Sequence, residues 1–384
     1  PGAFMDYVKL ALELHAKYRG KISMSSKVPV SSDLDLSTAY TPGVAGVCLE
    51  IARDVSLGNK YTNRANMVAV VSDGSAVLGL GDIGPNAAMP VMEGKAILFR
   101  ELAGIDAWPL CISASDPNEI IAFVKNLTPT FAGVLLEDIS APKCFQIEAG
   151  LQELEIPVFH DDQHGTAVVV LAALLNAAKL VGKNLSDCKV VFSGAGASAI
   201  GTAELLLEFG VPDLVLVDTK GSIFEGRDNL TPVKQQIASK TNKSRLDGSI
   251  FDALKDADIF IGLSTSDLLH AEHIRLMAPD PIVLALANPD PEILPEDAFA
   301  GGAAVVGTGR SDLSNQINNV LAFPGIFRGA LDVGASKITN KMKISAALAL
   351  SGLVAEVSKE QIIPHSLDPR VVPAIATAVA ASWE

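Results

Sequence analysis

The feature that most constrains the fold is an alternation of short apolar segments with helix-length segments rich in alanine and leucine. The short segments are rich in β-branched residues, and several are apolar at every position, as strands buried on both faces must be. The predicted strands are 67–72, 110–113, 133–136, 156–159, 189–193, 214–217, 258–262, 282–287 and 304–306. Strands that alternate with helices predict parallel sheets joined by right-handed crossovers, and therefore an α/β fold.

The length of 384 residues suggests two domains, at about 100–200 residues each. We predict an N-terminal catalytic domain over 1–161 and a Rossmann-like dinucleotide-binding domain over 162–384. A first helix is predicted over 6–20, loop over 21–46, and a long helix from near Thr166 to Gly182. Residues 1–4 precede the first methionine and are interpreted as a remnant of expression.

Charge and cysteine content exclude several classes of function. The net charge is −14, from 44 acidic and 30 basic residues, and a negative field repels phosphate backbones, so no nucleic-acid partner is expected. The four cysteines form no CxxC pair, which argues against disulfide and zinc sites and favours a cytoplasmic location. The longest apolar segments are short or interrupted by polar residues, so they are interpreted as buried helices and no membrane partner is expected.

A dinucleotide-binding turn is the strongest local motif. The strand 190–193 is followed by Gly194, Ala195, Gly196, Ala197, Ser198, Ala199 and Ile200, which is a GxGxxA pattern that opens a helix. The glycines permit a tight turn and close approach of a pyrophosphate, and the helix N-terminus offers free N–H groups. The next strand ends in Asp218, which can accept a hydrogen bond from a ribose 2′-hydroxyl. This pattern favours NAD, although Lys220 is close enough in sequence to meet the 2′-phosphate of NADP.

Acidic residues follow two other predicted strands. Glu137 and Asp138 come after strand 133–136, and Asp161 and Asp162 come after strand 156–159. Carboxylates gathered at one edge of a parallel sheet repel one another unless a cation neutralises them, and oxygen ligands favour Mg²⁺ or Mn²⁺. The alternative is that these acids are helix N-caps or solvated loop residues.

Two further segments carry candidate functional side chains. Tyr40 lies in the sequence Tyr-Thr-Pro-Gly-Val, and Lys95 follows a glycine-rich segment that ends in Leu-Gly-Leu-Gly-Asp. Taken alone, Tyr40 is interpreted as a half-buried loop tyrosine and Lys95 as a surface lysine with a buried stem.

Taken together and in this order, these motifs resemble the malic enzyme family. The segments ALANPDPE, at 285–292, and QINNVLAFPG, at 316–325, resemble two further motifs of that family. The resemblance extends from about Tyr40 to Phe327. It implies oxidative decarboxylation of L-malate to pyruvate and CO₂ with reduction of NAD(P)⁺, a divalent-metal requirement and a homodimer.

The resemblance also implies roles for individual residues. Tyr40 would be the general acid and Lys95 the general base, with Asp161 beside Lys95 and the cofactor. Glu137, Asp138 and Asp162 would bind the metal. The segment 194–200 and Asp218 would bind the dinucleotide. Asn288 and Asn319 would face the substrate or the nicotinamide, and Asn318 competes with Asn319 for that position.

One position departs from the family pattern. Larger members carry a carboxylate-binding arginine in a DGxRxLGLGD segment, and this chain has Ala76 at that place. Arg310, which follows the strand 304–306 and two glycines, is the candidate replacement, and its alternative interpretation is a loop arginine paired with Asp312. Two alternative activities are a malolactic reaction with retained NADH and a metal-independent NAD-linked dehydrogenase. A nucleotide-sensing subunit without activity is a third alternative.

Overall fold

The computed structural model describes residues 7–77 and 79–383. The predicted remnant at 1–4 and the predicted first helical residue, Asp6, lie outside these residues. The chain begins with helices α1 (Tyr7–Tyr18), α2 (Asp33–Ala39), α3 (Val44–Arg53) and α4 (Gly58–Tyr61). Within the described residues, α1, α2 and α3 bury no side chain, so that Leu12 is 68% and Leu34 75% exposed.

The first sheet has the strand order β2-β1-β3-β4, and every pair in it is parallel. Its strands are β1 (Met67–Ser72), β2 (Asp106–Cys111), β3 (Gly133–Leu136) and β4 (Val158–His160). They are connected by α5 (Gly84–Ala103), α6 (Pro117–Leu127) and α7 (Lys143–Leu151). Because the strands run in one direction, the residues after β1, β3 and β4 meet at one edge, where ligands bind in parallel sheets.

The second sheet follows helix α8 (Asp161–Val181) and has the strand order β10-β9-β8-β5-β6-β7. Its strands are β5 (Lys189–Ser193), β6 (Asp213–Asp218), β7 (Gly221–Ser222), β8 (Ile259–Gly262), β9 (Ile282–Ala285) and β10 (Val305–Thr308). Its helices are α9 (Ala197–Phe209), α10 (Pro232–Ala238), α11 (Ile250–Ala253), α12 (Ala271–Ile274) and α13 (Pro295–Gly301), then α14 (Phe323–Asp332), α15 (Asn340–Gly352) and α16 (Val371–Ala381). All pairs are parallel except the hairpin β6–β7. The predicted α/β fold with parallel sheets is confirmed.

Helix α8 is the centre of the molecule. Its apolar residues pack in one continuous cluster with Val68 and Val70 of the first sheet and Phe192 of the second. The helix is long and apolar enough to cross a membrane, but 67% of its most apolar window is buried inside the fold. It is therefore a core helix that joins the two sheets, and its N-terminus lies at the edge where the acids meet.

Several element boundaries differ from the sequence-based expectations. Segment 21–46, expected to be loop, contains α2 and the start of α3, because Ser32 accepts a hydrogen bond from the N–H of Asp35 and caps α2. Strand β2 begins before Pro109, which an edge strand tolerates. Helix α8 begins at Asp161 rather than near Thr166, since the side chain of His160 accepts from the N–H of Gln163. The boundary proposed between 161 and 162 therefore falls in the first turn of a helix.

Candidate active site

Lys95 lies at the centre of a buried polar cluster formed by residues distant in sequence. Its ammonium nitrogen is 2.5 Å from Asp161 Oδ2 and 3.1 Å from Glu137 Oε1. It also donates to Asn319 Oδ1 at 3.4 Å and lies 4.7 Å from the ring centroid of Phe323. Lys95 comes from helix α5, Glu137 directly follows β3, and Asp161 is the first residue of α8. Asn319 begins a 3-10 turn, Asn319–Leu321.

Charge in this cluster is unbalanced. Burial alone lowers the pKa of Lys95, but the charges of Asp161 and Glu137 outweigh it and raise this pKa overall. Burial also raises the pKa of Glu137 and of Asp161, against the opposing effect of Lys95. A single lysine therefore does not compensate the surrounding carboxylates, and the cluster favours a further cation.

Glu137, Asp138 and Asp162 have the arrangement of a metal site. Each offers one carboxylate oxygen, and these oxygens lie within 4.8 Å of one another. The N–H of Asp138 donates to Asp162 Oδ2 at 3.0 Å, and Asp138 takes a left-handed φ of 54°. Among the described residues, the buried Glu137 Oε2 has no hydrogen-bond partner. An all-oxygen donor set with an unsatisfied buried carboxylate oxygen fits Mg²⁺ or Mn²⁺.

Gly165 leaves room for the Asp161 carboxylate. A Cβ added to Gly165 would lie 1.9 Å from Asp161 Oδ1 and 3.1 Å from the Cβ of Asn319. The glycine therefore leaves the space in which Asp161 reaches Lys95 from one turn earlier in α8.

Gly165→Ala is expected to displace the Asp161 carboxylate and to lower kcat/KM for malate by about 10²-fold, as a misplacement of about 1 Å can. Gly352→Ala is the matched control, because nothing in the described part of the chain lies within 4 Å of a Cβ added there. Steady-state kinetics and the melting temperature check both variants. An unchanged kcat/KM in the Gly165→Ala enzyme would show that the position of Asp161 is not critical.

The glycine turn after β5 has the features of a dinucleotide site. Gly194 has φ of 109°, and a Cβ added to it would lie 2.6 Å from the carbonyl oxygen of Leu263. Gly196 is exposed and caps α9 without a side chain, so the N–H groups of the first helical turn are open to a ligand. Ala199 is buried against the sheet, as the motif requires. The turn lies between β8 and β6, where the strand order reverses.

Asp218 is paired with two cations that the sequence did not reveal. Arg227 donates to both of its oxygens, at 2.9 and 2.7 Å, and Lys234 Nζ lies 2.6 Å from Oδ2. Burial would raise the pKa of Asp218, but these hydrogen bonds lower it well below its usual range. The N–H of Lys220 donates to Asp218 Oδ1, so Lys220 contributes backbone to this site.

The remaining predicted residues lie in different environments. Asn319 contacts Lys95, whereas Asn318 uses its side-chain oxygen to cap the following turn at Val320, which favours Asn319 over Asn318. The amide of Asn288 donates to the carbonyl of Leu286 at 3.2 Å.

Tyr40 and Arg310 are separate from the Lys95 cluster. Tyr40 ends α2, is 67% exposed, and among the described residues makes no hydrogen bond with the cluster. Arg310 pairs with Asp312 at 2.7 Å and with Asp290 at 3.2 Å. The structure therefore shows Arg310 as a loop arginine in ion pairs, which is the alternative interpretation given in the sequence analysis.

A buried chain of polar groups behind the site was also not predicted. Glu148 Oε1 is 2.7 Å from His164 Nε2, and His164 Nδ1 is 3.0 Å from Lys343 Nζ. Burial would raise the pKa of Glu148, but His164 and Lys343 lower it to about 2. The chain joins α7, α8 and α15 directly behind the turn that carries Asp161 and Asp162.

Comparisons with known proteins agree with the geometry. Residues 19–152 match the family described as malic enzyme, N-terminal domain, and residues 163–382 match malic enzyme, NAD binding domain. The crystal structure of an NAD-dependent malic enzyme from Thermotoga maritima has a TM-score of 0.94 and 50% identity, and the match covers 96% of this chain and 98% of that one.

Sequence relatives point the same way. The bifunctional malic/malolactic enzyme of Bacillus subtilis is 56% identical over 374 residues, which is 96% of this chain and 91% of that protein. The NAD-dependent malic enzyme of Geobacillus stearothermophilus is 53% identical over 363 residues, with 94% and 76% covered. Other relatives are named NADP-dependent malic enzymes. The resemblance first drawn from short motifs is confirmed, and the chain belongs to the malic enzyme family.

Proposed function

We propose that this chain oxidises L-malate and decarboxylates it to pyruvate and CO₂ while reducing NAD⁺, with Mg²⁺ or Mn²⁺ as an essential cofactor. The observation that carries the proposal is Lys95 in contact with Asp161, Glu137 and Asn319, beside three carboxylates with the spacing of a metal site. The dinucleotide turn after β5 supplies the second half of the site.

In the first step, Lys95 takes the proton from the C2 hydroxyl while hydride passes from C2 to the nicotinamide. Lys95 must be neutral to accept a proton, whereas Asp161 and Glu137 raise its pKa in this structure. The carboxylate charge must therefore be compensated before Lys95 acts as a base. A divalent cation bound by Glu137, Asp138 and Asp162 would supply that compensation and Lewis-acid stabilisation of negative charge on the substrate.

In the second step, the bond between C3 and C4 breaks, CO₂ leaves, and the electron pair of that bond forms an enolate across C3, C2 and the C2 oxygen. Tyr40 donates a proton to C3 of this enolate and yields pyruvate. Asn288 and Asn319 orient the substrate and the nicotinamide, whereas Arg310 would reach the substrate only by leaving its ion pairs with Asp290 and Asp312.

Completion of the site requires an environment for Tyr40. We propose a homodimer, because α1, α2 and α3 expose apolar side chains such as Leu12 and Leu34, and the exposed Tyr40 lies at the end of α2. The net charge of −14 and the scattered cysteines support a cytoplasmic protein without nucleic-acid or membrane partners.

The decisive experiment is malate turnover with Mn²⁺, with NAD compared to NADP and with a chelator control. NADH and pyruvate should form in equal amounts, and chelation should stop both. Malate oxidation that survives chelation would favour the metal-independent dehydrogenase instead. Absence of any turnover would favour the nucleotide-sensing alternative.

NAD is the proposed cofactor because Asp218 lies at the end of β6, where a carboxylate accepts from ribose hydroxyls and repels a 2′-phosphate. Arg227 and Lys234 carry two positive charges against one on Asp218, so NADP is not strongly repelled. We propose a preference for NAD with measurable use of NADP.

Asp218→Asn is expected to shift the ratio of kcat/KM for NAD to that for NADP by at least about tenfold towards NADP. The change removes the repelling charge and leaves Arg227 and Lys234 free to bind a phosphate. The ratio is internally controlled, because partial unfolding lowers both values equally. An unchanged ratio would show that Asp218 is not beside the ribose.

A malolactic reaction is the second candidate, since the Bacillus subtilis relative named above is described as a malic/malolactic enzyme. In that reaction the NADH would stay bound and reduce pyruvate to lactate. Lactate formed from malate without net NADH release would support it. Pyruvate and NADH in equal amounts, without lactate, would exclude it.

A further inference from the structure

A second lysine, Lys143, lies at the carboxyl edge of the first sheet. It is the first residue of α7, and its ammonium group contacts Asp73 Oδ2, in the residue that follows β1. The side chain of Asp73 is 4% exposed and that of Lys143 is 19% exposed. A lysine has three N–H donors, and among the described residues Asp73 is the partner of one of them.

The Asp73–Lys143 pair is connected to the proposed metal ligands by hydrogen bonds. Asp73 Oδ1 accepts from the hydroxyl of Ser75 at 2.6 Å and from its N–H at 3.1 Å, which directs Oδ2 towards Lys143. The hydroxyl of Ser75 accepts from the N–H of Ser140 at 2.9 Å, and the N–H of Ala76 donates to the carbonyl of Asp138 at 3.0 Å. The loop after β1 therefore lies directly on the loop after β3.

The same loop extends to the second domain. A Cβ added to Gly79 would lie 3.5 Å from the carbonyl oxygen of Asn288. Ala76 therefore lies against Asp138 of the first domain, and Gly79 lies close to Asn288 of the second. Lys143 contacts Asp73, at the start of this loop.

A dicarboxylate in this site requires a cation in addition to a metal ion, because buried charges are unfavourable unless they are paired. Lys95 is already in contact with Asp161 and Glu137, and Arg310 is paired with Asp290 and Asp312. Lys143 has one acidic partner and unused donors, and its anchoring loop contacts a proposed metal ligand.

We infer that Lys143 binds a carboxylate of the dicarboxylic substrate, and that Asp73 and Ser75 orient its ammonium group for this contact. The inference rests on the proposed function, since it takes malate as the substrate. Lys143 of α7 would thus supply the positive charge that larger family members place at the position of Ala76.

The test compares Lys143→Met, Lys143→Arg and the control Lys125→Met, which removes an exposed lysine of α6. L-malate binding is measured by titration calorimetry with Mn²⁺ present, together with KM for malate and for NAD. Lys143→Met should weaken malate binding and raise its KM by about tenfold or more, as loss of a charge-assisted hydrogen bond does. Lys143→Arg should recover most of this loss, and KM for NAD should stay within about twofold in all three variants.

Asp73→Asn separates substrate binding from a purely structural pair. It can keep the bonds from Ser75 to Oδ1 but turns an amide N–H towards the ammonium group, so Lys143 is less well oriented and malate affinity should fall by less than in Lys143→Met, while KM for NAD stays within about twofold of wild type. A structural pair would instead make Asp73→Asn and Lys143→Met equally damaging to all ligands and to the melting temperature. That result overturns the inference, and so does a normal malate affinity in Lys143→Met or a tenfold loss in Arg310→Met alone.

The outcome is separable from the fate of the proposed function. If wild-type protein binds malate but does not oxidise it, the proposed reaction fails and the calorimetry still tests Lys143. If wild-type protein with Mn²⁺ does not bind malate, both are overturned.

Discussion

Glu137→Gln is expected to lower malate turnover by at least about 10³-fold while NAD binding remains intact. Lewis-acid stabilisation is worth several kcal/mol in the transition state, and each 1.36 kcal/mol is a factor of ten in rate. The substitution removes one charge from the three-carboxylate cluster and one contact of Lys95, while the side chain keeps its shape. Turnover, Mn²⁺ affinity by calorimetry and NAD affinity by fluorescence are the measurements.

Two companion variants make the Glu137 result specific. Asp162→Asn should give a comparable loss of turnover and of Mn²⁺ affinity, because Asp162 belongs to the same cluster. Glu153→Gln, at an exposed position beyond α7, should leave both at wild-type values. Normal Mn²⁺ affinity in Glu137→Gln and Asp162→Asn would remove the metal assignment from this edge of the sheet.

Lys95→Met is expected to lower kcat by about 10²–10⁴-fold, the usual contribution of a general base. It also removes the one cation in contact with both Asp161 and Glu137 among the described residues, so the melting temperature should fall unless these carboxyls take up protons. Loss of a positive charge beside the cluster should at the same time strengthen Mn²⁺ binding.

The expected loss of turnover and gain in Mn²⁺ affinity have opposite signs, and this distinguishes a catalytic role from a folding defect. A variant that fails to fold loses Mn²⁺ affinity together with turnover, whereas the expected Lys95→Met protein loses turnover and binds Mn²⁺ at least as tightly as wild type. Lys337→Met replaces an exposed lysine after α14 and should change neither quantity. A kcat within a few fold of wild type would assign Lys95 a packing role and require another base.

Signals confined to one short segment were predictable from the sequence. Gly194 has a positive φ, and the carbonyl oxygen of Leu263 leaves no space for a Cβ. Only glycine meets both conditions, so a glycine in this motif indicates the turn. Strand ends are nearly as local, because the apolar run of β3 stops where the strand ends, before Glu137, and the apolar run of β4 stops one residue before its end at His160, which precedes Asp161. Parallel pairing then places both acids at one edge.

Contacts between distant segments were not predictable in the same way. Lys143 and Asp73 are 70 residues apart, and no sequence pattern in either segment predicts their contact. The pairing of Asp218 with Lys234 depends on how α10 packs beside β6, which periodicity does not specify. Serine and aspartate around Ser32 were interpreted as loop residues, although the same types favour helix N-caps, and local composition does not separate the two.

The direct junction of β4 with α8 determines how this chain can be divided. A cut between 161 and 162 would separate Asp161, with its bond to Lys95, from Asp162, and would remove from the first sheet the helix that covers Val68 and Val70. Each fragment would expose the apolar surface now shared around α8 and would be prone to aggregate. Hybrid enzymes made by exchanging whole domains between relatives should therefore have their junction outside β4 and α8, so that both elements come from the same parent.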